Sequence, residues 1–179
     1  SGTGSITFKA APNYELKNIY SLIVGISDGQ ASISKPITIN ILDVNDVPIM
    51  TSASSFNSDE NQTAVDTVTA SDEDGDPLAY SLSGTDASSF SVNSSSGVIT
   101  FKSAPDYETK ASYSLTVSVS DGSLNNSQTL LISVNNLNDN IPELTSQPSF
   151  SANENQTGVG IAMANDADGD SLTYSLSGT

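Results

Sequence analysis

Apolar and polar residues alternate along this chain in short runs, and nothing in it has the three-to-four-residue spacing of a long amphipathic helix. Ile37, Ile39 and Ile41 form one such run, and Leu130, Ile132 and Val134 form another. In the central part, period-two runs predict strands near Ala53 to Phe56, Ala64 to Ala70, Leu78 to Leu82, Phe90 to Val92, Val98 to Phe101, Tyr113 to Ser120 and Gln128 to Val134. Seven short strands in about 90 residues, separated by turn signals, predict an all-β fold: a Greek-key sandwich of two antiparallel sheets.

The pattern recurs, and the recurrence sets the organisation. Gly4-Ser5-Ile6-Thr7-Phe8-Lys9 is matched by Gly97-Val98-Ile99-Thr100-Phe101-Lys102, and Pro12-Asn13-Tyr14-Glu15 by Pro105-Asp106-Tyr107-Glu108, at an offset of about 93 residues. Further on, Glu60-Asn61-Gln62-Thr63 is matched by Glu154-Asn155-Gln156-Thr157, and Asp72-Glu73-Asp74-Gly75-Asp76 by Asp166-Ala167-Asp168-Gly169-Asp170, with Asn140 as an extra residue that makes the offset about 94. Tandem β-sandwich repeats are therefore expected: the second half of one at 1–46, a complete one at 47–139, and the first half of another at 140–179.

Between repeats lie Asp43-Val44-Asn45-Asp46-Val47 and Asn136-Leu137-Asn138-Asp139-Asn140, each running from a strand into a proline, Pro48 or Pro142, that stops strand pairing. If successive strands reverse direction, the acids sort onto the ends of each sandwich. Glu60, Asp106, Glu108 and residues 136–140 fall at one end of the central repeat. Asp72, Asp74 and Asp121 fall at the other, facing the hinge 43–47 together with Asn13 and Glu15. Asp166 and Asp168 then face the second hinge.

Charge gives that sorting a chemical meaning. Twenty-one Asp and Glu stand against five Lys and Arg, a formal charge of −16. Two carboxylates about 4 Å apart repel by roughly 4 kcal/mol at an effective dielectric near 20, so clustered acids call for a cation. The same surplus excludes nucleic acid as a partner, since that affinity comes from basic residues. The chain has no cysteine and no histidine, which removes disulfides, thiolate sites and the usual zinc ligand and general base. No apolar run approaches the roughly 20 residues that span a bilayer, so no transmembrane segment is expected in this stretch. An export signal or anchor would lie outside it.

Calcium takes six to eight oxygens from carboxylates, amides, backbone carbonyls and water in irregular geometry, and each hinge offers that mixture. At the second hinge, Glu60, Asp106, Glu108, Asp139 and Asp168 can hold two ions, and Asn138, Asp166, Asp168 and the Asn140 carbonyl a third. Taken singly the motifs have plainer readings: Asp72 and Asp74 sit in a Gly/Pro turn, and Asp121-Gly122 is a hairpin signal. Their convergence at the repeat period is what points to metal.

The Glu of Glu60-Asn61 and Glu154-Asn155, the Asp-x-Glu of Asp106-Tyr107-Glu108, the Asp-x-Asp of Asp72-Glu73-Asp74 and Asp166-Ala167-Asp168, the Asp-Gly turn at Asp121 and the Asp-x-Asn-Asp-Asn linker together closely resemble the cadherin repeat. The resemblance covers the whole chain. It implies a seven-stranded sandwich, three calcium ions per junction, a rod that calcium stiffens, and an extracellular, cell-surface setting. The cysteine-free, Ser/Thr/Asn-rich repeats look most like the arrays of bacterial surface adhesins. Three positions depart from the pattern: Asn13 stands for the first Asp of Asp-x-Glu, Asn136 for the first Asp of the linker, and Val47 for its last Asn.

The expected role is a calcium-rigidified extender or adhesion rod, not an enzyme. The alternative is a calcium-dependent carbohydrate-binding module, so the outside partner is a surface receptor or a polysaccharide. Because half-sandwiches expose apolar faces, the two flanking halves are also expected to associate head to tail between copies. That would join Glu154 to Glu15 and Asp46, and Asp28 to Asp166 and Asp168.

Overall fold

The computed structural model describes residues 4–178; residues 1–3 and 179, the outer tips of the two flanking units, lie outside the described residues. Alternation in the central part produces strands where the side chains demand it. In β10 (Ser112–Ser120) the inward positions Leu115, Val117 and Val119 are buried, and in β11 (Asn125–Asn135) so are Leu130, Ile132 and Val134. These two long strands pair antiparallel, from Ser112 opposite Ser133 to Ser120 opposite Asn125. β7 (Ala79–Ser83) adds to β10, and β4 (Ser55–Asp59) adds to β11 in parallel, giving the sheet β4-β11-β10-β7. The parallel pairing of first and last strands is what alternating strand direction requires of a seven-stranded unit.

The facing sheet is β5 (Ala64–Thr67), β9 (Val98–Phe101) and β8 (Phe90–Val92) in the order β5-β9-β8. Between the sheets Val68, Tyr80, Phe90, Ile99 and Phe101 close on the β10–β11 residues. Phe90, Phe101 and Tyr113 form a cluster with ring centroids 4.4–5.4 Å apart, within the range where aromatic pairs attract. Gly97 is required in the β8–β9 turn: its φ is +72°, and a Cβ there would sit 2.1 Å from the Val68 carbonyl oxygen.

One expected strand is preceded by an extra short one, and another is broken in two. Ahead of the strand expected near Ala53 to Phe56, found as β4 on β11, lies a short β3 (Ile49–Met50), which pairs with β6 (Ala70–Ser71). The chain crosses from one sheet to the other through Thr51 to Ser54, where the Thr51 and Ser52 N–H groups donate to the Thr69 carbonyl. The strand expected over Ala64 to Ala70 is divided into β5, which carries a bulge between Ala64 and Asp66, and β6; at the break the Val68 N–H donates to the Gly97 carbonyl.

The flanking units keep less of the repeat. In the first, β1 (Ile19–Ser27) and β2 (Ser32–Asn40) form an uninterrupted antiparallel hairpin. The segment 4–9, expected as a strand, runs without ladder pairing, although Phe8 packs edge-on against Tyr20 at 5.0 Å. Among the described residues of the last unit only β12 (Glu143–Leu144) and β13 (Ala164–Asn165) pair. Leu172 to Leu176, expected as a strand, stays irregular. Its counterpart β7 is held by β10, and the last unit contains no copy of β10.

Candidate metal centre between repeats

Glu60 anchors the lower joint. It is 2% exposed, its Oε2 accepts from the Tyr107 N–H at 2.8 Å, and its Oε1 accepts from the Leu137 N–H at 2.7 Å. One side chain thus ties the turn ahead of β10 to the chain leaving β11. Around it gather Glu108, Asp139 and Asp168, one oxygen from each of the four lying within 4.8 Å of the others. Oxygens on opposite sides of a calcium ion are about 4.6–5.2 Å apart, since each bond is about 2.3–2.6 Å. The set therefore fits such an ion, and Asp168 comes from the following repeat. Partial desolvation, then the charges of Glu60, Asp168 and Asp106, holds the Glu108 carboxyl above its ordinary range.

Asn140 lies in the middle of this group. Its side-chain amide donates to Asp139 Oδ1 at 2.8 Å, to Asp168 Oδ1 at 3.0 Å and to Glu108 Oε2 at 3.4 Å, while its backbone N–H donates to Asp168 Oδ2 at 2.8 Å. That amide is the first cause of the lowered Asp168 pKa. Asn138 meets Asp170, not the expected Asp166 and Asp168; Asp166 instead accepts from the Asp170 N–H. Asp106 is not one of the four; it caps its own turn by accepting from the Thr109 N–H and hydroxyl.

The upper joint repeats the design with changes. Glu15, Asp46 and Asp74 bring one oxygen each within 4.8 Å of one another. A backbone hydrogen bond favouring the charged Glu15 is outweighed by desolvation and the charges of Asp43 and Asp74, so its carboxyl lies above the ordinary range. Desolvation, with Glu73, Asp74, Asp72 and Asp43, raises Asp46 likewise. The Asn45 amide donates to Asp121 Oδ2 at 2.8 Å and is the first cause of that group's lowered pKa. Asp72 Oδ2 is buried without a hydrogen-bond partner, and a cation is a natural partner for such an atom.

The pairing of Val47 with Asn140 is corrected here. The Asp46 N–H donates to Asp74 Oδ2 at 2.7 Å, as the Asn140 N–H does to Asp168, and β3 and β12 keep the same ladder partners at the longer offset. Counted back from these strands, Val47 matches Ile141. The upper linker is one residue short, and Asp46 supplies both the carboxylate of Asp139 and the N–H of Asn140.

Other expected residues are not drawn into either group. Asp28 caps the β1–β2 turn by accepting from the Gln30 and Ala31 N–H groups, and Glu154 is exposed in the last unit. Four partners escaped the sequence reading: Asp43 beside Glu15, Glu73 accepting from Asn13 at 2.9 Å, Asn61 on Asp139, and Asp170. Each lies within a stretch that carries a motif, and that position was the available signal.

The cadherin domain family matches residues 54–135, the sandwich between these two joints. This segment is a cadherin repeat. Human cadherin-related family member 2 is 39% identical over 88 residues, 49% of this chain and 7% of that protein. Neural-cadherin of Drosophila melanogaster is 35% identical over 157 residues, 78% of this chain and 5% of that protein. The chain thus spans a small fraction of these relatives. The protocadherin gammaB7 EC3-6 cis-dimer structure superposes with a TM-score of 0.69 at 27% identity, over 88% of this chain and 44% of that one. Cadherin repeats are adhesion modules rather than catalytic ones, and the protocadherin structure is a cis-dimer of repeats EC3-6.

Proposed function

We propose that the chain is a run of calcium-stiffened cadherin repeats, divided at 1–46, 47–139 and 140–179, from an extracellular adhesion or extender protein at a cell surface. One observation carries the reading: Glu60, Glu108 and Asp139 of the complete repeat converge with Asp168 of the next. A calcium ion there supplies the positive charge that joins carboxylates of two repeats. The protein's own part is to fix Glu60 by two backbone N–H groups and to present Asp168 through the turn after β13. A thermal melt with calcium titrated from chelator to millimolar, beside a magnesium control, tests this. Extracellular sites bind at about 0.1–1 mM, and calcium at 100 times the dissociation constant adds roughly 2.7 kcal/mol per site. A calcium-specific rise in Tm is expected; a flat response sinks the reading.

The partners follow from the same repeats. In a longer array each flank is completed by the rest of its own repeat. For the 179-residue chain alone we infer head-to-tail association of unit 140–179 with unit 1–46 of another copy. Ile6 (50% exposed) and Tyr174 (58%), whose counterparts Ile99 and Tyr80 are buried core, support it. Sedimentation that stays strictly monomeric at high concentration would contradict it. Polysaccharide binding is less well supported, because the complete repeat packs Phe90, Phe101 and Tyr80 inside and leaves them no part in an exposed sugar platform.

A further inference from the structure

Both joints gather carboxylates from two repeats, Glu60, Glu108, Asp139 and Asp168 at the lower and Glu15, Asp46 and Asp74 at the upper, but they differ at the centre of the group. In the lower joint a neutral amide, Asn140 Nδ2, donates into the group formed by Glu108, Asp139 and Asp168. Its two hydrogens are shared among oxygens from both repeats, which is the geometric task of a bridging cation. In the upper joint the missing residue leaves no such amide, and Glu15, Asp46 and Asp74 face one another directly. Two other amides serve the upper joint, Asn13 on Glu73 and Asn45 on Asp121, but each reaches a carboxylate outside that group of three. Asn136 adds to the lower joint by donating to the Asp168 carbonyl at 3.0 Å, where the upper linker has Asp43, which cannot donate when ionised.

We propose that Asn140 is a built-in stand-in for the bridging cation, so that the two joints answer calcium withdrawal unequally: the lower stays aligned while the upper becomes the hinge. The inference rests on the calcium reading above. Physically, hydrogen bonds to charged acceptors are the strong ones, and the three upper carboxylates, with the Asp46 N–H but no side-chain amide among them, repel one another. Asn140 is thus a positioning residue: it holds the carboxylates in place and lowers the calcium concentration needed to keep the joint straight. A rod with such joints bends at a defined place as calcium falls.

The absence of native cysteine makes the test clean, since engineered thiols are the only ones to label. In the full chain, Ser34→Cys with Ser91→Cys reports the upper joint, and Ser91→Cys with Ser151→Cys the lower, by spin-label distance distributions over a calcium titration. All three positions are exposed. The upper distribution is expected to broaden at a calcium concentration roughly tenfold higher than the lower, the scale of a hydrogen bond to a charged acceptor. Asn140→Asp, which replaces the donor with a carboxylate, is expected to bring the lower midpoint up to the upper one. Inserting Asn between Asp46 and Val47 is expected to lower the upper midpoint. Equal midpoints that Asn140→Asp leaves unchanged overturn this inference alone. Distributions that ignore calcium at both joints overturn the calcium reading and this inference with it.

Discussion

Ile99 and Ile6 occupy the same place in the repeat, about 93 residues apart in matching sequence, yet Ile99 is fully buried and Ile6 is 50% exposed. Glu60 and Glu154 are likewise equivalent, and only Glu60 is buried. The local sequence cannot account for the difference. What differs is the opposing sheet, which the central repeat contains in full and the flanking units do not. Where the partner strands are sequence neighbours, as in the β1–β2 hairpin, a flank keeps its ladder. Where the unit holds no copy of the partner strand, as for Leu172 to Leu176, it does not.

Pairs of equivalent substitutions test this contrast, beginning with the largest expected effect. Gly97→Ala combines a positive φ with a Cβ 2.1 Å from the Val68 carbonyl oxygen. Strain and overpacking together should cost the central repeat about 2–6 kcal/mol in a denaturant melt. Gly4→Ala, at φ +68° with nothing within 4 Å, should cost no more than about 1–2 kcal/mol. Equal effects would break the contrast.

Ile99→Ala should cost about 2–5 kcal/mol, the range for deleting a buried aliphatic side chain. Ile6→Ala should stay within about 1 kcal/mol, as exposed sites do. Glu60→Ala strands the Tyr107 and Leu137 N–H groups and should cost about 1–3 kcal/mol without any metal present. In the same melts Glu154→Ala should leave the central transition unmoved.

The smallest effect concerns acid. Asp86 accepts from Lys110 Nζ and the Ser114 N–H, and the Lys110 bond, foremost, holds its carboxyl below the ordinary aspartate range. A depressed folded-state pKa contributes stability that is present above the unfolded value and lost as pH falls through the folded one. Wild type should therefore lose part of its central stability below the ordinary aspartate pKa, and Asp86→Asn should flatten that limb. An unchanged acid limb would remove Asp86 from the account.

Much of this was legible in the residues. Period-two alternation located seven strands, and the repeat offset together with strand parity placed Glu60, Glu108, Asp139 and Asp168 at one joint. The partner switch between β3 and β4 was not legible, because nothing in Thr51 to Ser54 encodes which sheet it faces. The double service of Asp46 escaped for a related reason. A one-residue deletion shows in sequence as a changed offset, but only the hydrogen bond to Asp74 reveals which residue moved into the gap. Asn61, Asp43, Glu73 and Asp170 were hidden because their roles depend on how two repeats abut. The tie from Asp86 to Lys110 was hidden because it follows no sequence period.

The proposed calcium site takes its carboxylates from two repeats. Equilibrium dialysis of the whole chain against calcium, comparing wild type with the Glu108→Gln/Asp168→Asn double variant, tests it most directly. Wild type should bind calcium saturably at about 0.1–1 mM, the range of extracellular sites, and the double variant should lose the share held at the lower joint. Equal uptake by the two proteins would contradict the account.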